Sequence, residues 1–185
     1  MLVSGFEFDL KDGRRALVRN PGEEDVPALL DYLRTTAGET HFLMRYPEEC
    51  AGISPDAEKH FIEGVNSSDT DAMLLCFVEG RLAGNCQISC GKRIKTRHRA
   101  SLAIALLREF WGLGIGRRLM NELFRIAYEN ENIIQLELEF IEGNDRARAL
   151  YESLGFEVTG IKPDAIRLKD DTLLDEYCMM TKLKR

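Results

Sequence analysis

Apolar and polar positions recur at two periods along this chain, and the switches between them mark its elements. Ala16-Leu17-Val18-Arg19 predicts a first strand, broken by Asn20-Pro21-Gly22. Val26, Leu29, Leu30 and Leu33 then recur at helical spacing, which predicts a helix from Glu24 to Arg34. From Thr35 to Ser54 neither period holds, and the segment is expected to be irregular. Ser54-Pro55-Asp56-Ala57 carries the signature of a capped helix start, with Pro at the first helical position, and that helix should reach about Val65. Ala72 to Val78 and Leu82 to Ser89 are apolar strands around Glu79-Gly80-Arg81, a hairpin signal. Ser101 to Leu107 is continuously apolar, as expected of a central strand covered on both faces. Ile115, Leu119, Leu123 and Ile126 form one stripe of a helix over Gly114 to Tyr128. Ile133 to Phe140 predicts another strand, and Asp145 to Leu154 a helix ended by Gly155 in the left-handed cap position. Val158 to Arg167 and Tyr177 to Lys182 supply the last strands. This order suits an α/β fold with a mixed central sheet and helices on both faces. With no repeat, low-complexity tract or linker, residues 1–185 are expected to form a single domain.

Composition narrows the classes. The 185 residues are 44% apolar and 30% charged, with a formal net charge of -6, the profile of a soluble globular protein. The acidic balance argues against a sequence-blind nucleic-acid binder. One exception is local: Lys92, Arg93, Lys95, Arg97 and Arg99 surround His98. This run suits a solvated hairpin loop; its functional alternatives are a contact for a 3′-phosphate or for an acidic protein patch. No apolar run is long enough to span a membrane, and Met1 to Leu10 lacks a signal-like apolar stretch, so a cytoplasmic monomer or homodimer is expected. Five cysteines, at 50, 76, 86, 90 and 178, form no C-x-x-C pair. Cys86 and Cys90 are expected to be buried free thiols, and His41, His60 and His98 lack zinc-site spacing, so no metal is expected.

Chemistry concentrates in two segments. The first is Leu106-Leu107-Arg108-Glu109-Phe110-Trp111-Gly112-Leu113-Gly114-Ile115-Gly116-Arg117-Arg118, joining the central strand to a helix start. Glycines let a backbone approach a ligand closely, and a helix start offers free N–H groups and a positive dipole end. This is a diphosphate site, or a turn that serves chain reversal alone. A P-loop string is absent, and Arg117 stands where a dinucleotide fingerprint needs its third glycine. The second segment runs from Asn144 to Phe156. At helical spacing Asn144, Ala147, Arg148 and Tyr151 share one side, which suits a slender polar chain lying along the helix. The alternative is that Asn144 caps, Ala147 packs and Tyr151 is an amphipathic core residue.

Together the two segments resemble the GNAT superfamily of N-acetyltransferases. Its Q/R-x-x-G-x-G/A signature is matched by Trp111 to Gly116 except at Trp111, and N-x-x-A-x-x-L-Y-x-x-x-G-F is matched throughout from Asn144 to Phe156. The departure at Trp111 leaves the backbone N–H contacts of the turn in place, and Trp111 is expected to pack beneath it.

The resemblance implies a sheet with splayed middle strands and an acyl-CoA-dependent N-acetyltransferase that uses acetyl-CoA as donor and an amine as acceptor. It places acetyl-CoA contacts at Ile104, Leu106, Leu107, Gly112, Leu113, Gly114, Ile115, Gly116, Arg117, Asn144, Ala147 and Arg148. The Leu106 N–H would polarise the thioester carbonyl, and the amine would attack directly. Tyr151 would protonate the departing thiolate. Glu137 and Glu139, on one face of a strand, are candidate bases, or else one or both pair with the basic loop or reach solvent; Ala100 stands where some histone-type members hold a glutamate. Glu39, Glu48 and Glu49, with Glu137 and Glu139, suggest an acid-lined cleft and a cationic acceptor. The rival readings are a non-catalytic acyl-CoA sensing module and a Rossmann-like nucleotide binder.

Overall fold

The computed structural model describes residues 1–184. Its centre is an eight-stranded mixed sheet in the order β1-β2-β3-β4-β5-β6-β8-β7. The strands are β1 (Phe6–Asp9), β2 (Arg15–Arg19), β3 (Ala72–Val78), β4 (Arg81–Cys90), β5 (Arg99–Leu106), β6 (Gln135–Ile141), β7 (Glu157–Arg167) and β8 (Leu173–Lys182). The helices are α1 (Val26–Glu39), α2 (Pro47–Ala51), α3 (Pro55–Asn66), α4 (Ile115–Glu129) and α5 (Asp145–Glu152). Ile115, Leu119, Leu123 and Ile126 of α4 are all buried, as their stripe requires. Ser54 caps α3 by accepting the Ala57 N–H at 3.2 Å. Gly155 closes α5 at φ 86°, a left-handed cap that glycine adopts without a Cβ clash.

Three expectations need correction. Strand β1 lies where none was expected. Phe6 and Phe8 alternate with Glu7 and Asp9 and pair with β2 in register from Phe6 opposite Val18 to Asp9 opposite Arg15. Helix α1 runs to Glu39, because Thr35 and Thr36 satisfy their hydroxyls on the carbonyls of Asp31 and Tyr32 and so remain in the helix. The segment from 35 to 54 also holds α2. Finally, β5 is central but not covered along both faces. Arg99, Ser101 and Ala103 are exposed while Ala100 and Leu102 are buried. Helices α1 and α3 contact β4 and β3 on one face, leaving the β5–β8 half of that face open; α4 and α5 pack on the other.

A buried ion pair anchors the entry to α1. Asp25 is 5% exposed and accepts two bonds from the Arg19 guanidinium, at 2.5 and 2.8 Å, and one from the Gly22 N–H. Removing the carboxylate strands a half-buried cation. Asp25→Ala is therefore expected to cost about 2–4 kcal/mol, short of a fully buried pair because Arg19 keeps some water. Urea denaturation of the folded variant measures it, and a loss below about 1 kcal/mol would show that solvent compensates Arg19.

Candidate active site

The sheet opens at its middle. Strands β5 and β6 run parallel but pair only at Arg99, Ala100 and Ser101, opposite Gln135, Leu136 and Glu137. Beyond Ser101 they diverge, although β5 continues to Leu106 and β6 to Ile141. Backbone groups of successive strand residues point to opposite edges. The Leu107 N–H donates to the Ala83 carbonyl at the β4 end, whereas the Leu106 carbonyl accepts the Trp111 indole N–H at 2.9 Å. Leu106, and by alternation Ile104, thus turn their backbone edges into the gap.

A cleft of about 490 Å³ occupies the gap and passes between the faces of the sheet. One wall is β5 from Leu102 to Leu106 with Trp111, Gly112, Gly114, Gly116 and Arg117; the other is Phe140 with Asn144, Arg146, Ala147, Leu150 and Tyr151. Glu139 enters from the opposite face, beside Thr40, Phe42, Leu43 and Met44.

The glycines suit this place for a physical reason. Gly112 and Gly114 have φ of 80° and 95°, which L side chains rarely adopt, and Gly114 begins α4. Nothing lies within 4 Å of a Cβ built at Gly112, and only the Lys11 chain, at 3.9 Å, meets one at Gly114, so the space over the turn is open. The first N–H groups of α4 are available there. Asn144 caps α5 by accepting the Ala147 N–H at 3.3 Å. Tyr151 is 7% exposed, packs against Phe140 and Phe156, and makes no side-chain hydrogen bond among the described residues. Burial pushes its phenol up to about 12, so it stays protonated across the physiological range.

Of the sequence-predicted site residues, Ile104, Leu106, Gly112, Gly114, Gly116, Arg117, Glu139, Asn144, Ala147 and Tyr151 line the cleft. Leu107, Leu113, Ile115, Arg148 and Glu137 do not. Leu107 points its N–H to β4, Ile115 is a core side chain, and the Leu113 carbonyl accepts the Lys11 N–H. Arg148 pairs with Glu152 one turn along α5, and Glu137 pairs with Arg99 at 3.2 Å. Glu139 pairs with Lys162 at 2.5 Å. Trp111 does not pack beneath the turn: it lines the cleft, flanked by the guanidinium groups of Arg108 and Arg146.

Sequence reasoning missed Lys11, Phe42, Met44 and Arg146. Lys11 precedes the Asp12-Gly13 turn of the β1–β2 hairpin, a signal the sequence did carry. Phe42 and Met44 sit in an aperiodic loop and carried none. The acids expected to gather round the cleft are mostly engaged elsewhere. Glu39 accepts the Arg108 N–H, Glu48 pairs with Lys169, and Glu49 accepts the Tyr46 N–H. The basic loop at 92–99 lies at the opposite end of β5 from the glycine turn, roughly 26 Å away at strand rise, so it does not neighbour a phosphate held there. Cys86 is buried, while Cys90 is half-buried and donates its thiol to the Thr70 carbonyl. Among the described residues no cluster of His, Cys, Asp or Glu suits a metal, and no helix is long and apolar enough to cross a membrane.

The sequence pattern of the acetyltransferase (GNAT) family matches residues 25–156, most of the chain. This chain belongs to that family. The split sheet, the glycine helix start and the Tyr151 helix are thus parts of an acyl-CoA-dependent acetyltransferase. Solved structures agree with the fold. An acetyltransferase of the GNAT family from Streptococcus pneumoniae superposes with a TM-score of 0.85 at 25% identity, covering 91% of this chain and 99% of that one. A ribosomal-protein-alanine N-acetyltransferase from Brucella melitensis gives 0.77 at 26% identity, over 90% and 99%. A Salmonella typhimurium protein solved with its cofactor acetyl-CoA gives 0.77 at 18% identity, over 91% and 94%, a likeness of fold alone. No curated protein sequence matches the chain.

The GNAT chain fits acetyl-CoA by its own features. The β5 edge beyond its pairing with β6 faces the slot, the space over the glycine turn is open, and Lys11, Arg117 and Arg146 are the cations of the lining against one carboxylate, Glu139. That balance favours an anionic diphosphate at the helix start.

Proposed function

We propose that this chain transfers an acetyl group from acetyl-CoA to a primary amine, of a small molecule or a protein N-terminus, by direct attack in a ternary complex. The carrying observation is that one cleft joins the stretch of β5 not paired with β6, the glycine start of α4 and the protonated Tyr151 hydroxyl. Bound acetyl-CoA supplies the thioester. The N–H groups at the start of α4, with Lys11 and Arg117, hold its diphosphate. The Leu106 N–H, turned into the gap, polarises the thioester carbonyl. Tyr151 donates its phenolic proton to the departing sulfur. The base role passes to Glu139, which lines the cleft, acting directly or through water; Glu137 lies outside it.

The ribosomal-protein-alanine N-acetyltransferase likeness supports an amine acceptor. A rival reading, acyl-CoA sensing without turnover, keeps the glycine turn but gives Tyr151 no role. The test follows release of free CoA thiol over a panel of amines and peptide N-termini. Thiol release that depends on the amine, with an N-acetylated product, is the expected result. Acetyl-CoA binding with no turnover on any acceptor would leave the sensing module.

A further inference from the structure

A second cavity adjoins the acetyl-CoA slot. It measures about 190 Å³ and shares Thr40, Leu43 and Met44 with the slot. That is smaller than the roughly 300–1,000 Å³ of a whole small-molecule site, so it suits one group of an acceptor whose amine lies in the slot. One side is the loop from Thr40 to Tyr46. The other is Ala165 to Leu168 at the end of β7, displaced by the irregular register between Lys162 and Ile166. The sides are tied together. The Lys169 N–H donates to the Tyr46 hydroxyl at 3.1 Å, and the Lys169 ammonium lies over the Tyr46 ring while bonding Glu48.

The charge in this cavity is one-sided. Arg45 and Arg167 line it beside His41, and no carboxylate does. Arg167 is engaged by Asp171. Arg45 makes no ion pair among the described residues. Glu58 of α3 feels the charge of Arg45. It is 6% exposed, and although burial raises its pKa and Arg45 lowers it, the two side chains form no ion pair among the described residues. An uncommitted guanidinium offers a planar fork matched to a carboxylate.

We propose that this cavity is an anion subsite, in which Arg45 selects acceptor amines bearing a nearby carboxylate. The inference rests on the acetyltransferase reading above and names the acceptor class within it. A free amino acid carries the carboxylate on the carbon of its amine; a peptide N-terminus carries it on an acidic side chain. It also reverses the cationic-acceptor expectation, because the acids behind that expectation have other partners and only Glu139 lines the slot.

The test compares kcat/KM for matched pairs: amino acids against their amides and decarboxylated amines, and short peptides with Glu or Gln at the second position. A charge-assisted contact predicts a preference of about tenfold to a hundredfold for the carboxylate partner, read mainly in KM. Arg45→Met, which keeps the apolar stem, should bring the ratio close to one, and Arg45→Lys should restore part of it. Preference in the amino-acid pairs points to a free amino acid, and preference in the peptide pairs to an acidic N-terminus. Equal rates, a preference for neutral or cationic amines, or a ratio unchanged in Arg45→Met would overturn the subsite and leave the acetyltransferase reading intact. Acetyl-CoA binding without turnover on any amine would overturn both.

Discussion

Tyr151→Phe should slow acetyl transfer by about a hundredfold and leave acetyl-CoA affinity nearly unchanged. The substitution removes one oxygen and keeps the ring packed on Phe140 and Phe156. General acid catalysis contributes roughly 10²–10⁴-fold. One property of the site places the effect toward the lower end. Burial raises the phenol to about 12, so the proton is always present below that pH. The same shift makes Tyr151 a weaker donor than a free tyrosine of reference value about 10. In the wild type, kcat/KM should rise as the acceptor amine loses its proton and show no alkaline fall until pH approaches 12. The Phe variant should keep the rising limb at a lower plateau. Wild-type turnover in Tyr151→Phe would mean that water or another group protonates the sulfur.

Much of this site was legible because its parts are local. A glycine helix start and a helix with Asn144, Ala147 and Tyr151 on one side are properties of short segments, and the sequence states them directly. Gly112 and Gly114 take a positive φ, which glycine adopts without a Cβ clash. What escaped is non-local. Arg148 shares the predicted helix side, yet its guanidinium turns to Glu152, which helical spacing alone allows but does not impose. The five acids share sequence segments and a strand face, whereas three of them pair with cations far along the chain: Glu48 with Lys169, Glu139 with Lys162, Glu137 with Arg99. Half coverage of β5 was equally out of reach, because a continuous apolar run looks the same whether helices span the whole sheet or stop at β4. Only Ser101 hinted at it.

The second large effect is expected at Gly114, where Gly114→Val should weaken acetyl-CoA binding by about a hundredfold or more. Two charge-assisted bonds from helix-start N–H groups to a diphosphate, each worth about 1.5–3 kcal/mol, account for that magnitude if the new side chain fills the space they span. The structure separates this from a steric clash within the protein, since a Cβ at Gly114 meets only the flexible Lys11 chain at 3.9 Å. It does not separate it from backbone strain. Gly114 has φ of 95°, and a β-branched residue held there costs of order 1–3 kcal/mol of stability. Gly155→Val is the control. Gly155 has a comparable φ of 86° but lies outside the cleft, so its variant should lose similar stability and keep its affinity. Gly114→Asn adds a second check, because Asn tolerates the left-handed region and would bring bulk with less strain. Calorimetry on the folded variants should give weak binding for both Gly114 substitutions and near wild-type binding for Gly155→Val. Unchanged acetyl-CoA affinity in folded Gly114→Val would remove the diphosphate from this turn, and weak binding in Gly155→Val would show that strain alone disables the cleft.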